Sequence, residues 1–461
     1  MFAIPPVTFG ISGRYGIFTV ITFGNPWGVT GGARGGGHRV AAAAATTARH
    51  GVPIEERSCK QPCCKALLCC MDILDEKTKL WLEQLIMQLL HHLRERRVAK
   101  ANQLRVFVLK YVSSCGGWKR AFPSSLNGDV YVPFHFNFES KADYWIEENF
   151  RLPRQDIDRV RALLGIPDVV HTRNRDRIPG FLAFCMVLYK LSWPRRMSDL
   201  RDEFGGTKQR CSRIVNHVVV FLFLRFYPKM STLDRMRYTD DYLLHLCSVG
   251  FKKHEVMDNI WGFIDATIRP CARPVRFQKV VYNGKNRVHS IKFQSIVSWD
   301  GMIAHLSGPW AGARHDSGIF NESSLPVVLG SLPCVPSPGN PPVALYADEG
   351  YALSSRIFVP YADGRVCARH AAFNHRMSQS RITVEWGYHL VLRSWTSLDF
   401  KRNLKIFKSP LGAYYTIAVL LTNIQSCLAT YNDITLYAGT STPSVEEYLA
   451  TLATVYNTTE P

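Results

Sequence analysis

The sequence predicts an α/β catalytic unit preceded by an all-helical region and by an N-terminal extension of different character. Three observations carry this. From Asn259 onward, short apolar runs alternate with turn signals and helical segments; between Ala142 and Met230, apolar residues recur at helical spacing; residues 1 to about 70 show neither period. The 461 residues include 56 Lys+Arg against 37 Asp+Glu, a formal net charge of +19. Such an excess attracts polyanions, nucleic acid before an anionic membrane surface, and is more than a small acidic substrate needs. Apolar residues at 46% and charged residues at 20% supply sizeable cores. They exclude a disulfide-stapled mini-domain, a collagen-like repeat and an acidic tail protein.

Taken in order, residues 1–70 carry G-G-A-R-G-G-G-H and an alanine run at 41–45, and read as a disordered or atypical extension. Cys59, Cys63, Cys64, Cys69 and Cys70 crowd together there without the paired C-x2-C spacing of a zinc module, so they read as a reduced segment. No apolar h-region with a small-residue cleavage site follows a charged start, so secretion is not expected. Residues 71–140 read as a helical segment and linker. Leu80, Leu82, Leu85, Ile86, Leu89 and Leu90 recur at helical spacing, and the basic residues after them suit the negative end of a helix dipole.

Residues 141–258 form the helical region. Asp156, Ile157, Val160, Leu163 and Leu164 mark an amphipathic helix, and Ile178–Leu191 a more apolar one. Met197–Phe204 and Thr207–Phe223 then read as two helices joined at Gly205-Gly206, with Thr207 able to cap the second. That is helix-turn-helix spacing. It sets Lys208, Gln209, Arg210 and Arg213 in the first turns of the second helix, where a recognition helix meets DNA; a helical hairpin with solvated basic tips fits the same pattern.

Residues 259–435 read as the α/β unit and 436–461 as a tail. Ile260, Phe263 and Ile264 precede Asp265 as a buried strand ending in acid. Val288–Ser298 and Met302–Ser307 flank Trp299-Asp300-Gly301, a D-G hairpin turn. A Pro-rich loop, Leu332–Pro342, leads into V-A-L-Y-A-D-E-G-Y, a central strand over Pro342–Ala347 ending at Asp348. A helix is expected over Ser378–Trp395, with Val384, Tyr388, Val391 and Trp395 as its apolar stripe. Glu385 lies about 100° from Val384 and is expected to border the sheet. Ala413–Ala429 carries too many polar residues for a membrane span and reads as a buried helix.

Asp265, Asp348 and Glu385 are the informative acids, because carboxylates converging at the carboxyl edge of a sheet supply hard oxygen ligands for Mg²⁺ or Mn²⁺. Two such ions can clamp the attacking and leaving oxygens of a phosphodiester. Each acid alone is more often a turn, cap or surface residue. Their order, and surroundings of eight Lys+Arg against Asp300 and Asp316 between Thr267 and Asn321, favour the chemical reading.

The motifs I-D-A-T-I-R-P, G-P-W-A-G-A-R-H-D-S-G-I-F, A-D-E-G-Y and N-x6-R-x3-E, in that order over roughly Trp261–Tyr431, resemble the DDE transposases of the PIF/Harbinger type. The resemblance implies an RNase H-like core, a metal-dependent DNA endonuclease or transposase acting on transposon-end DNA, and a nuclear location. It also implies an accessory Myb-like DNA-binding protein, with self-association and without a membrane partner. Asp265 then resembles the first catalytic acid and Glu385 the last. Asp316 and Asp348 compete for the middle place; Asp348 is favoured because it follows the fourth strand. Asp316, still a candidate metal ligand, becomes a supporting or capping acid beside His315. Lys208, Arg210, Arg213, Arg269, Arg314, His315 and Arg381 are the candidate DNA contacts, and Arg381 can pair with Glu385 across one helical turn. Trp386 stands where the family usually has Arg, and a basic residue usual near Leu392 is missing, which removes two cationic contacts. A domesticated, catalytically weak DNA-binding protein is the alternative. A hydrolase with carboxylates as general acid and base gives no reason for +19.

Overall fold

A computed structural model describes residues 133–362, 367–406 and 408–453. Chain contacts divide the molecule into Met1–Asp75 and Glu76–Pro461, and all the described residues belong to the second unit. The expectations for the extension, the cysteine cluster and the helix from Met71 to about Leu104 lie outside the described residues.

The region before the sheet contains α1 (Asp143–Phe150), α2 (Ile157–Leu163), β1 (Val169–His171), β2 (Arg177–Pro179), α3 (Gly180–Ser192), α4 (Met197–Phe204), α5 (Lys208–Met230) and α6 (Asp240–His254). It is not all-helical. β1 and β2 pair antiparallel as a small hairpin, and the apolar helix expected from Ile178 begins only at Gly180, because Arg177–Pro179 is paired with β1. The two helices about Gly205-Gly206 form as predicted, and the Thr207 hydroxyl accepts from the Arg210 amide at 3.2 Å as an N-cap. The second runs on to Met230. Ile214, Val215, Val218, Leu222 and Phe226 are fully or almost fully buried along it, so one face of this helix is core.

The α/β unit contains β3 (Ile260–Pro270), α7 (Gln278–Val281), β4 (Tyr282–Asn283), β5 (Val288–Ser298), β6 (Ile303–Ala311), α8 (Asp316–Glu322), α9 (Leu325–Gly330), β7 (Ala344–Tyr346), β8 (Ile357–Phe358) and α10 (Ala368–Ser394). Then come α11 (Leu411–Ala429), α12 (Asp433–Ala438) and α13 (Val445–Ala453). One six-stranded sheet results, with β4 and β6 beside β5, β5 beside β3, β3 beside β7 and β7 beside β8. β3, β5 and β6 are antiparallel, while β7 and β8 run parallel to β3. The D-G turn forms between β5 and β6, with Gly301 at φ +75°, a conformation that a Cβ disfavours.

Helices cover the sheet. On α6, a Cβ at Gly250 would lie 2.5 Å from the Trp299 indole nitrogen and 2.8 Å from the Ile260 carbonyl oxygen, so only glycine lets this helix approach β3 so closely. α11 is long and apolar enough to cross a membrane by composition, yet 89% of its apolar window is buried inside the protein, as the sequence predicts. Its Asn423 grips β6, accepting from the Ile303 amide at 3.1 Å and donating to the Ile303 carbonyl at 3.0 Å. α10 starts ten residues before the expected Ser378.

Candidate active site

Asp265 does not end β3; the strand continues to Pro270 because β5 supplies an antiparallel partner as far as Ser290. On the other side β7 accompanies β3 only through Ile260, Gly262 and Phe263. Asp265 thus stands where the parallel neighbour has stopped and β3 is open along one edge. The same end of β7 delivers Asp348 two residues after Tyr346. The 'ends of strands' expectation therefore holds for the parallel pair and fails for the antiparallel one.

The Asp265 carboxylate accepts from the Ala266 amide at 2.7 Å, and its backbone carbonyl accepts from the Tyr388 hydroxyl of α10, also at 2.7 Å. Tyr388 in turn accepts from the Ser295 hydroxyl at 2.8 Å. These bonds fix the strand and its carboxylate from three elements. Burial pushes the Asp265 carboxyl up to about 6, and the neighbouring negative charges of Asp348 and Asp316 push the same way against the Ala266 hydrogen bond and the cation of Arg381. The Tyr388 and Tyr351 phenols are raised well above the ordinary range, first by burial and then by the Asp265 charge, so both remain protonated.

Asp348 is half-buried, and its Oδ1 accepts from the Gly350 amide at 2.9 Å. A Cβ on Gly350 would lie 3.0 Å from Asp348 Oδ1 and 3.5 Å from Asp316 Oδ2. Gly350 therefore leaves open the space that separates these two carboxylates. Asp316 begins α8 as its first residue. Its Oδ1 accepts from the Lys292 ammonium at 2.6 Å, and the Lys292 side chain is only 9% exposed. Gln294, two residues along β5, donates to the Tyr351 hydroxyl at 3.0 Å.

Three of the predicted acids are thus brought together, and Arg381 faces them. Glu385 is not part of that cluster. Its side chain is 57% exposed instead of bordering the sheet, because on α10 it is Val384 and Val391 that turn into the core, with Trp395 just after the helix. Among the described residues, Glu385 is linked to the site through Arg381, whose guanidinium lies 3.4 Å from Glu385 Oε1. Among the described residues, no group of three or more His, Cys, Asp and Glu is arranged to hold a metal ion.

The predicted DNA contacts scatter. Lys208 is exposed at the start of α5. Arg213 instead makes a two-pronged pair with the buried Asp176 at 2.7 and 2.8 Å; Arg210 lies 3.5 Å from the same carboxylate and over the Phe134 ring. Both guanidiniums are engaged in tying α5 to the β1–β2 hairpin. Arg269 is buried against Thr267 and the Tyr415 ring, so it is not a surface contact. Arg314 pairs with Glu322, and His315 is exposed just ahead of α8.

Sequence reasoning missed the supporting shell: Lys292, Gln294, Tyr351 and the hydroxyl function of Tyr388. A lysine and a glutamine at alternate positions of a strand otherwise made of apolar and small polar residues from Ser290 onward are the one signal that could have found the first two. No curated protein and no solved structure matches this chain. Residues 264–423, from the residue before Asp265 through most of α11, match the family described as DDE superfamily endonuclease.

Proposed function

We propose that this chain is a metal-dependent DNA endonuclease or transposase of the PIF/Harbinger type on an RNase H-like core. The observation that carries the proposal is the meeting of Asp265, where β3 outruns its parallel neighbour, with Asp348, just past the end of β7, the Asp265 carboxyl being raised first by burial and then by the Asp348 charge. The strand arrangement, three antiparallel strands followed by two parallel to the first, supports the RNase H-like reading. Two oxygen-rich, mutually repelling side chains suit Mg²⁺ or Mn²⁺.

Asp265 and Asp348 would hold the cation. Bound there, it would polarise a phosphoryl oxygen and offset charge developing on the phosphate. Asp316 is paired with the Lys292 ammonium, which favours Asp348 for the second ligand place. The Ala266 and Gly350 amides orient one oxygen of each ligand aspartate, and Tyr388 holds the Asp265 backbone. Arg381 presents positive charge toward the carboxylates, where it can draw a phosphate in, and it pairs with Glu385, which the family resemblance makes the last of the catalytic acids. The family match over residues 264–423 supports DNA as the substrate. The resemblance supports the accessory Myb-like DNA-binding protein, the nuclear location and self-association.

The exposure of Glu385 favours one other reading, a domesticated DNA-binding protein with weak or no chemistry. The experiment is Mn²⁺-dependent nicking of terminal-repeat DNA by wild type, Asp348→Asn and Asp316→Asn. The expected outcome is a loss of about 100-fold or more for Asp348→Asn and a smaller one for Asp316→Asn. Intact nicking by Asp348→Asn sinks the ligand assignment. Absence of nicking from the wild type, with DNA binding retained, selects the domesticated reading.

A further inference from the structure

We propose that the far ends of β3 and β5, with the connection between them, form a cationic arm that grips duplex DNA several base pairs to one side of the cleavage point. Past Asp265, β3 stays paired with Ser290–Gln294 of β5 as far as Pro270, and the chain returns through α7 and the β4–β5 hairpin. Between Ala266 and Trp299 there are seven Lys+Arg and no Asp or Glu. Arg269 and Lys292 turn inward and are buried. The other five, Arg273, Arg276, Lys279, Lys285 and Arg287, are exposed. Among the described residues none of these five makes an ion pair with an acid, and only Arg273 has a side-chain partner, the Gln278 amide oxygen at 3.0 Å.

An acid-free stretch of solvated cations has no internal counter-charge, so its charge is available to a polyanion with release of counterions. Its position makes duplex DNA the fitting occupant. At about 3.4 Å per strand residue, Pro270 lies roughly 17 Å beyond Asp265, and Arg287 roughly 27 Å beyond Ser295, the register partner of Asp265. Duplex DNA rises about 3.4 Å per base pair. The arm then meets the backbone about 5–8 base pairs from the reacting phosphate. The placement of that phosphate rests on the function proposed above; the grip itself does not.

The test uses the full chain in EDTA, so that chemistry plays no part, and anisotropy of a labelled 30-base-pair duplex over a series of NaCl concentrations. Neutralising Arg273, Arg276, Lys279, Lys285 and Arg287 to Gln should lower the slope of log affinity against log salt by about 3–5. The reversal Lys285→Glu/Arg287→Glu, confined to the exposed hairpin turn, should lower it by about 2 or more and guards against misfolding of the larger variant. Neutralising the exposed Arg173, Arg175 and Arg177 should move it by less than about 1. An unchanged slope in both arm variants, an equal fall in the control, or stronger competition by polyglutamate or single-stranded RNA than by duplex DNA would each overturn the proposal. A lowered slope in a protein that never nicks DNA upholds the arm and refutes the catalytic reading.

Discussion

Replacing Asp265 with Asn removes one charge from a site where charge is costly, and the cost can be worked out. The carboxyl stands at about 6 against an ordinary 3.8, raised by burial and by Asp348 and Asp316. That difference corresponds to about 3 kcal/mol of penalty on the charged form in the folded chain. The folded state binds this proton more tightly than the unfolded state. Stability from this group is therefore fullest below about pH 4 and falls as pH rises toward 6. Asn keeps the oxygen that accepts from the Ala266 amide. In EDTA at pH 8, Asp265→Asn should be more stable than wild type by up to about 3 kcal/mol, or about 3–6 °C in Tm for a unit of this size. The advantage should vanish near pH 4. With Mn²⁺ the order should reverse, since only the wild type gains binding energy. A variant less stable than wild type in EDTA at pH 8 would refute the repulsion argument, and equal stabilisation of both proteins by Mn²⁺ would refute the ligand assignment.

Lys292→Met strips Asp316 of its cation; thermal melting in EDTA should fall by the equivalent of about 2 kcal/mol, and Mn²⁺ should recover part of the loss, which an unchanged Mn²⁺ response would contradict. Asp176→Ala leaves Arg210 and Arg213 without their shared carboxylate and should cost about 2–4 kcal/mol in urea unfolding; a neutral result would mean that these arginines are not structural. Burial holds His254 and His305 down to about 4, so folding should weaken as pH drops from 6.5 toward 4, the unfolded histidines taking up protons first. His305→Gln can still donate to the Ser231 carbonyl and should flatten that acid slope; an identical slope would place the sensitivity elsewhere. Asn423→Ala deprives both backbone groups of Ile303 of their partner and should destabilise by about 2–3 kcal/mol.

Much of this was legible before any coordinates. The paired helices at Gly205-Gly206, the Thr207 cap, the exact span of β5, the D-G turn and the buried C-terminal helix all depend on periods and turn chemistry within a few residues of one another. Asp265 and Asp348 belonged to motifs, and the fold brings the Asp348 charge to bear on Asp265. What local pattern could not convey is which side chain answers which. Lys292 meets Asp316 across 24 residues, Arg213 meets Asp176 across 37, and the Tyr388 hydroxyl meets the Asp265 carbonyl across 123. The extension of β3 beyond Asp265 likewise depended on how far its neighbour β5 runs, and the exposure of Glu385 on which face of α10 the core takes.

Sequence by itself determined the long helices and the main strands, the positive charge and the presence of the acids, since these follow from composition and short-range periodicity. Tertiary structure alone decided the partners: it paired Asp316 with Lys292, engaged Arg210 and Arg213 with Asp176 and left Arg273, Arg276, Lys279, Lys285 and Arg287 exposed. The reason is physical, because a charge acts through distance and burial, and chain folding sets both.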